Sequence, residues 1–352
     1  MEKCAKEGTL FMKAIGFYQG LPIDQPEAML DLELPKPKAE GHDLLIKVLG
    51  VSVNPVDTKM RQDAPQTTTP QILGFDAVGV VAEKGAAVEQ FEVGDRVYYA
   101  GSNQRPGSDE QYQLVDARLV SLAPDKLSVA QAAAMPLTSL TAYELLFDKL
   151  HFQRDRKQNV GQSLLVINGA GGVGSILIQL AKWAGLTVLA TCSPKNDGWV
   201  KKMGADYTLD YHQDLKQQLA GLGYKQVDAI VILHSTADYF DLAADLIRPF
   251  GHVAGIVGTP NALPLTKLKD KAASFDWEFM FTKSKYHFQM ATQGEALQFL
   301  ARLFDAGLLQ STLMENIDSG INAENIRRAH QLVESNRMVG KVVVTGDFNG
   351  GK

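Results

Sequence analysis

Residues 164–174 read LLVINGAGGVG, and this stretch constrains the fold more than any other. Leu164, Leu165, Val166 and Ile167 suit a strand buried on both faces. Gly169, Gly171 and Gly174 follow with the spacing G-x-G-x-x-G, and residues 175–184 (SILIQLAKWA) then run at helical period. Strand, glycine turn and helix come in the order that a dinucleotide site needs. The first glycine permits the tight turn, the second lets the backbone approach a pyrophosphate, and the third lets helix pack on strand. The anion then meets a helix N-terminus. Gly169, Gly171, Gly172, Val173 and Gly174 are therefore expected to cradle a dinucleotide; the alternative is a glycine loop that merely packs.

The flanking chain divides by pattern. After an N-terminal extension, residues 1–11, a first strand is expected at 13–17. Up to about residue 135 the signals are short strands between Pro and Gly turns, at 43–53, 77–83, 96–99 and 110–115. In Gly94-Asp95-Arg96-Val97 the Gly-Asp pair has turn chemistry and β-favouring residues follow. This part reads as a barrel-like, mostly β domain. An Ala-rich segment at 129–135 is interrupted by Pro136, and 139–150 resumes as a helix that crosses to a second domain. Beyond it strands (164–167, 187–191, 205–209, 229–233, 253–256) alternate with helices (175–184, 199–203, 213–219, 241–247), the pattern of a doubly wound parallel sheet. Two amphipathic helices, 295–306 and 324–335, and a strand at 341–345 lack this rhythm and are expected to rejoin the first domain. The expected fold is α/β, with a first domain 1–137, a Rossmann domain 138–286 and a C-terminal return 287–352.

Whole-chain properties narrow the function. A chain of 352 residues, 45% hydrophobic and 21% charged, has the size and composition of a globular protein with two cores. A net charge of −5 with scattered Lys and Arg offers no basic face to nucleic acid. No apolar run approaches the roughly 18–20 residues that span a bilayer, and the polar start MEKCAKE is no signal peptide. A cytoplasmic protein with no membrane partner is expected. Cys4 and Cys192 are the only cysteines, which excludes a disulfide framework and any site of several thiolates.

Several segments then carry a family resemblance, in family order: 52–59 (SVNPVDTK), 73–81 (LGFDAVGVV), 94–97 (GDRV), 140–143 (LTAY), 168–174 (NGAGGVG), 204–206 (GAD) and 340–343 (GKVV). With them the chain resembles the medium-chain dehydrogenase/reductase superfamily, specifically its quinone oxidoreductase branch and the zinc-free members of the zinc-type alcohol dehydrogenase-like group. The resemblance implies a Rossmann domain, a split GroES-like catalytic domain, a cleft between them and a homodimer, paired through a strand near 277–282. The departure from the alcohol dehydrogenases lies at the metal. Asn54 stands where those enzymes have a Cys ligand, Phe75 where they have the His of Gly-His-Glu, and only Asp76 stays acidic. Neither Asn nor Phe is a strong zinc ligand, and two cysteines cannot build a second, all-thiolate site. No metal is expected.

Without zinc, oxidation of a simple alcohol loses its main charge stabiliser, whereas hydride addition to a quinone or enone spreads charge onto an oxygen that hydrogen-bond donors can support. NADPH-dependent reduction of a quinone or α,β-unsaturated carbonyl is the reaction expected. Asn54 and Lys59 are the candidate donors, against a side chain bracing the turn before Pro55 and a solvated loop lysine. Asp57 either orients Lys59 or is an acid in a turn. By resemblance Thr141 faces the nicotinamide, the alternative being packing or capping in its own helix. Phe75 and Phe281 are expected to wall the substrate pocket, and Tyr143 to pack. His234 and His252 read as strand-end and turn residues, and no G-x-S-x-G elbow suggests a hydrolase.

Cofactor choice follows from the second strand of the Rossmann domain. An NAD site offers an acid roughly 20 residues past the fingerprint. Here the strand ends Thr191-Cys192-Ser193-Pro194-Lys195, with no acid at its tip. A hydroxyl and a lysine attract a 2′-phosphate, and Tyr211 matches a family tyrosine at that phosphate. NADPH is expected over NADH, with Ser193, Lys195 and Tyr211 as its pocket and Asp197 as the dissenting residue. Two other readings stay open: an NADPH-binding structural or sensing protein with little turnover, and a zinc-dependent alcohol dehydrogenase.

Overall fold

The computed structural model describes residues 10–348, so Cys4 and most of the N-terminal extension lie outside the described residues. The chain first lays down β1 (Phe11–Gly16), β2 (Leu30–Pro35), β3 (Asp43–Ser52), α1 (Pro55–Gln62), β4 (Ala77–Lys84), β5 (Arg96–Tyr99), β6 (Tyr112–Asp116), β7 (Val120–Leu122) and α2 (Val129–Ala133). Next come α3 (Pro136–Tyr143), β8 (Ser163–Ile167), α4 (Gly172–Trp183), β9 (Thr187–Cys192), α5 (Asp197–Lys202), β10 (Tyr207–Asp210), α6 (Leu215–Gly221), β11 (Val227–Ile232), α7 (Thr236–Leu246), β12 (Ile247–Gly255) and β13 (Ser274–Trp277). The last elements are α8 (Thr282–Lys285), α9 (Ala291–Asp305), β14 (Leu313–Ile317), α10 (Ala323–Glu334) and β15 (Lys341–Thr345).

Two compact units result. One holds the described residues up to Pro136 together with Phe281–Asp305 and the chain from Leu313 on; the other holds Leu137–Met280 and Ala306–Thr312. The C-terminal return thus starts at Phe281 and is interrupted by residues 306–312. In the second unit six parallel strands run in the order β10-β9-β8-β11-β12-β13. Every residue of β8 is buried, as a central strand covered on both faces requires. Leu165, Ile167, Ile230, Ile232, Phe240 and Val253 belong to the core on one face. Strand order reverses between β8 and β11, the switch point at which such sheets open a crevice beyond their C-terminal ends.

In the first unit the sheet order is β14-β15-β3-β4-β5-β7, with β6 also pairing β3, while β1 and β2 form a separate antiparallel pair. β3 is the centre: it pairs antiparallel with β15, β4 and β6. The edges were harder to read from sequence. β2 alternates half-buried and exposed residues with none fully buried, so its apolar signal is diluted. Pro136 does not interrupt a helix but begins one, where its missing N–H costs nothing. Among the described residues no helix is long and apolar enough to cross a membrane.

Candidate active site

In the second unit the glycine turn follows β8 directly. Asn168 adopts a left-handed conformation (φ 72°); its N–H donates to Thr191 Oγ1 at 2.9 Å, and Gly169 N–H donates to the Thr191 carbonyl at 2.8 Å. The turn is thereby tied to the end of β9. A Cβ on Gly174 would lie 2.3 Å from the Asn168 carbonyl oxygen, so helix and strand can approach this closely only over a glycine. At Gly171 a Cβ would meet the Asn168 side-chain nitrogen at 3.1 Å. Gly171 is the N-cap of α4 and supplies no side-chain cap, which leaves the N–H groups of Gly172, Val173 and Gly174 without acceptors in their own helix. A dinucleotide pyrophosphate fits this cradle.

At the tip of β9 the polar groups divide in an informative way. Ser193 is buried and its Oγ has no hydrogen-bond partner. Lys195 is exposed and makes no ion pair among the described residues. Tyr211 is exposed, with its ring 4.3 Å from that of His212. The neighbouring acids are all engaged. Asp197 accepts from Thr208 Oγ1 at 2.5 Å and pairs with Lys201 at 2.9 Å. Asp206 accepts from Lys182 and from Val188 N–H, and Asp210 from His212 N–H and Gln213 Nε2. Cys192 lies at this strand end with its thiol pushed up to about 11 by burial, so it stays protonated and inert.

Thr141 is buried and its Oγ1 donates to the Leu137 carbonyl at 2.8 Å, leaving only its lone pairs for another partner. Tyr143 receives a hydrogen bond from Arg154 at 3.1 Å and stacks edge-on against Phe147. His252 Nδ1 bonds Ser274 Oγ at 2.8 Å, and His234 is exposed.

In the first unit Asn54 ends the chain's passage from β3 and caps α1. The sequence suggests a donor aimed at substrate; the structure instead commits both ends of this amide internally. Nδ2 donates to Asp76 Oδ2 at 2.8 Å and to the Ser52 carbonyl at 3.4 Å, while Oδ1 accepts from the Lys341 ammonium. Lys341 also donates to Asp76 Oδ2 at 2.9 Å and to the Val53 carbonyl at 3.4 Å, so its three protons all have acceptors. Asn54, Asp76 and Lys341 are 1%, 0% and 4% exposed. Asp57 accepts from Asn54 N–H at 2.7 Å and Gly74 N–H at 3.1 Å, which joins α1 to the turn before β4. Burial pushes its carboxyl up to about 7 against the pull of those two N–H groups and of Lys341. Gly74 has φ 105°, and a Cβ there would lie 2.5 Å from Ser108 Oγ. Lys59 is exposed on α1, with no ion pair among the described residues. Phe75 and Phe281 pack edge to face, centroids 5.0 Å apart, both essentially withdrawn from solvent.

A catalytic zinc does not fit this cluster. Of the positions that hold the metal in the resembled enzymes, Phe75 has no donor atom, and the oxygens of Asn54 and Asp76 already face an ammonium. Among the described residues no group of three or more His, Cys, Asp or Glu is arranged to hold a metal ion. Lys341 is the residue that sequence reasoning missed. Its signal was a lysine opening the otherwise apolar strand KVVVT, where four of five residues, Lys341 included, are buried.

Comparison with known proteins agrees with this architecture. The family model "Alcohol dehydrogenase GroES-like domain" matches residues 40–125, and "Zinc-binding dehydrogenase" matches residues 203–344. A zinc-type alcohol dehydrogenase-like protein of Staphylococcus epidermidis is 42% identical over 335 residues, 95% of this chain and 99% of its own. An NADPH-dependent alkenal/one oxidoreductase of Arabidopsis thaliana is 29% identical over 90% of this chain and 75% of its own. The crystal structure of "a putative zinc-dependent alcohol dehydrogenase protein" from Rhizobium etli CFN 42 superposes with a TM-score of 0.91 at 41% identity, covering 96% of this chain and 99% of that one. The chain belongs to the medium-chain dehydrogenase/reductase superfamily of oxidoreductases, among the zinc-type alcohol dehydrogenase-like proteins.

Proposed function

We propose that this protein uses NADPH to reduce quinones or α,β-unsaturated carbonyls by hydride transfer, without a catalytic zinc. The observation that carries the cofactor half is the division of charge beyond β9: Asp197, Asp206 and Asp210 are engaged, while the Ser193 hydroxyl and the Lys195 ammonium are not. A dianionic 2′-phosphate would meet one donor and one cation there, with Tyr211 beside them. The N–H groups of Gly172, Val173 and Gly174 take the pyrophosphate, and Thr141 offers its lone pairs to the nicotinamide side. The bound nicotinamide supplies the hydride.

The acceptor half rests on the cluster around Lys341 and on the activity named for the Arabidopsis relative. Lys59 is the donor to the oxygen that gains charge, its ammonium stabilising an enolate or quinol oxygen. Asn54 acts as a positioning residue that fixes the N-terminus of the helix carrying Lys59. Phe75 and Phe281 back the site with apolar surface. The protein works as a cytoplasmic homodimer, for which the exposed Trp277 on the edge strand β13 is the available surface.

Steady-state assays test the reading. NADPH is expected to be consumed with a benzoquinone and enone panel, and simple alcohols are expected to give no NADPH from NADP. Turnover of alcohols alone would overturn it, and tight NADPH binding without any turnover would favour the sensing role. A narrower check is Lys195→Glu, expected to raise the KM for NADPH by roughly 10–100-fold and to leave that for NADH nearly unchanged. An equal rise for both cofactors would remove Lys195 from the 2′-phosphate pocket.

A further inference from the structure

We infer that Thr208 is a specificity-determining residue, which preserves NADPH preference by keeping the Asp197 carboxylate engaged on β10; this rests on the NADPH reading above. Asp197 opens α5 in the same turn that carries Ser193 and Lys195. An ionised acid in that turn opposes a 2′-phosphate and favours the free hydroxyl of NADH. Both of its oxygens are occupied. Oδ1 accepts from Thr208 Oγ1 at 2.5 Å, and Oδ2 pairs with Lys201 Nζ at 2.9 Å.

The two ties differ in kind. Lys201 sits one turn along the same helix, and its side chain is 59% exposed, so its pairing is loose and screened by salt. Thr208 reaches across from a neighbouring element. It is half-buried in β10, which pairs in parallel with β9 in the register Thr208 to Ala190. A β-branched residue in a strand has little χ1 freedom, so the hydroxyl is held where the carboxylate can find it. Lys201 lowers the charge at Asp197; Thr208 fixes its position. Together they allow an acid to stand beside a phosphate pocket without discharging its field into it.

Equilibrium titration with NADPH and with NADH, followed by calorimetry, tests the role without relying on turnover. Thr208→Val is expected to weaken NADPH binding roughly five- to twenty-fold, with NADH binding held within about twofold. Adding Asp197→Asn to Thr208→Val restores NADPH affinity, because the released side chain no longer carries charge. Lys201→Met, on the exposed face of α5, shifts preference in the same direction and does not depend on Thr208→Val folding. An unchanged NADPH-to-NADH ratio in folded Thr208→Val overturns the inference, whatever Lys201→Met does. So does a double variant as weak as Thr208→Val, since the loss would then belong to the hydroxyl and not to the freed acid. A wild-type protein that binds both cofactors equally overturns the NADPH reading itself, and is seen before any substitution is made.

Discussion

Lys341→Met is expected to lower stability by about 3–5 kcal/mol, as removal of one partner from a buried ion pair does. The side chains have similar length, so packing changes little. What disappears is the countercharge of Asp76, which has no solvent exposure, and the donor to Asn54 Oδ1. Rehydration is not open to a carboxylate in that place. A urea denaturation series would read the change as a lower midpoint with an unaltered slope. Lys341→Met/Asp76→Asn should recover a substantial part of the loss, because a neutral amide there needs no countercharge. A loss below about 1 kcal/mol would put the pair in the range of exposed surface pairs and contradict the role given to it here. The variant should also loosen α1 at Asn54, so hydrogen exchange at the first turn of that helix is expected to quicken more than in the parallel sheet.

Acidification between pH 6.5 and about 3 is expected to remove up to about 5 kcal/mol through a single side chain, His330. His330 lies fully buried in α10, and neither ring nitrogen has a hydrogen-bond partner. Burial, helped by the Arg61 guanidinium, lowers its pKa to about 3. The folded state therefore keeps the ring neutral while the unfolded chain takes up a proton below pH 6.5. Stability from this group is complete above that pH and falls as the pH drops toward the folded value. Asp57 and Glu110 act in the other direction over an overlapping range: burial raises them to about 7 and about 8, so their contribution is complete below the usual carboxylate range and is lost as pH rises from there to those values. Comparing wild type with His330→Leu isolates the histidine. The variant should be more stable at neutral pH, since two unsatisfied polar atoms are gone, and the gap should widen toward pH 4. A gap that stays constant with pH would show that His330 does not titrate in this way.

How much of this was visible along the chain depends on the range of the interactions. The glycine turn and the alternation of strands and helices are local patterns. Gly174 must be glycine because the Asn168 carbonyl, a few residues earlier, occupies the place of its Cβ. The strand expected at 341–345 is β15, legible from its run of valines. β2 and β14 were not legible, because half-exposed strands that alternate with polar residues carry little contrast. Asn54 is the instructive case among the site residues. Its place before Pro55 was evident, but the state of its amide was not: that depends on Asp76 and on Lys341, which is 287 residues further along.

The same contrast holds for charge. That no acid ends β9 is a property of the order of residues, and it suffices to raise the question of a 2′-phosphate. That Asp197 is tied to Thr208 and Lys201, that Asp206 is taken by Lys182, and that Ser193 is left without a partner are outcomes of chain folding. Likewise, the absence of strong metal ligands at Asn54 and Phe75 is written in the residue types, whereas the ammonium that faces Asn54 and Asp76 arrives on a strand from the far end of the chain. Hydrophobic period and turn chemistry act over a few residues and can be read in order. Hydrogen bonds and ion pairs among buried groups depend on which distant segments meet, and only the folded chain decides that.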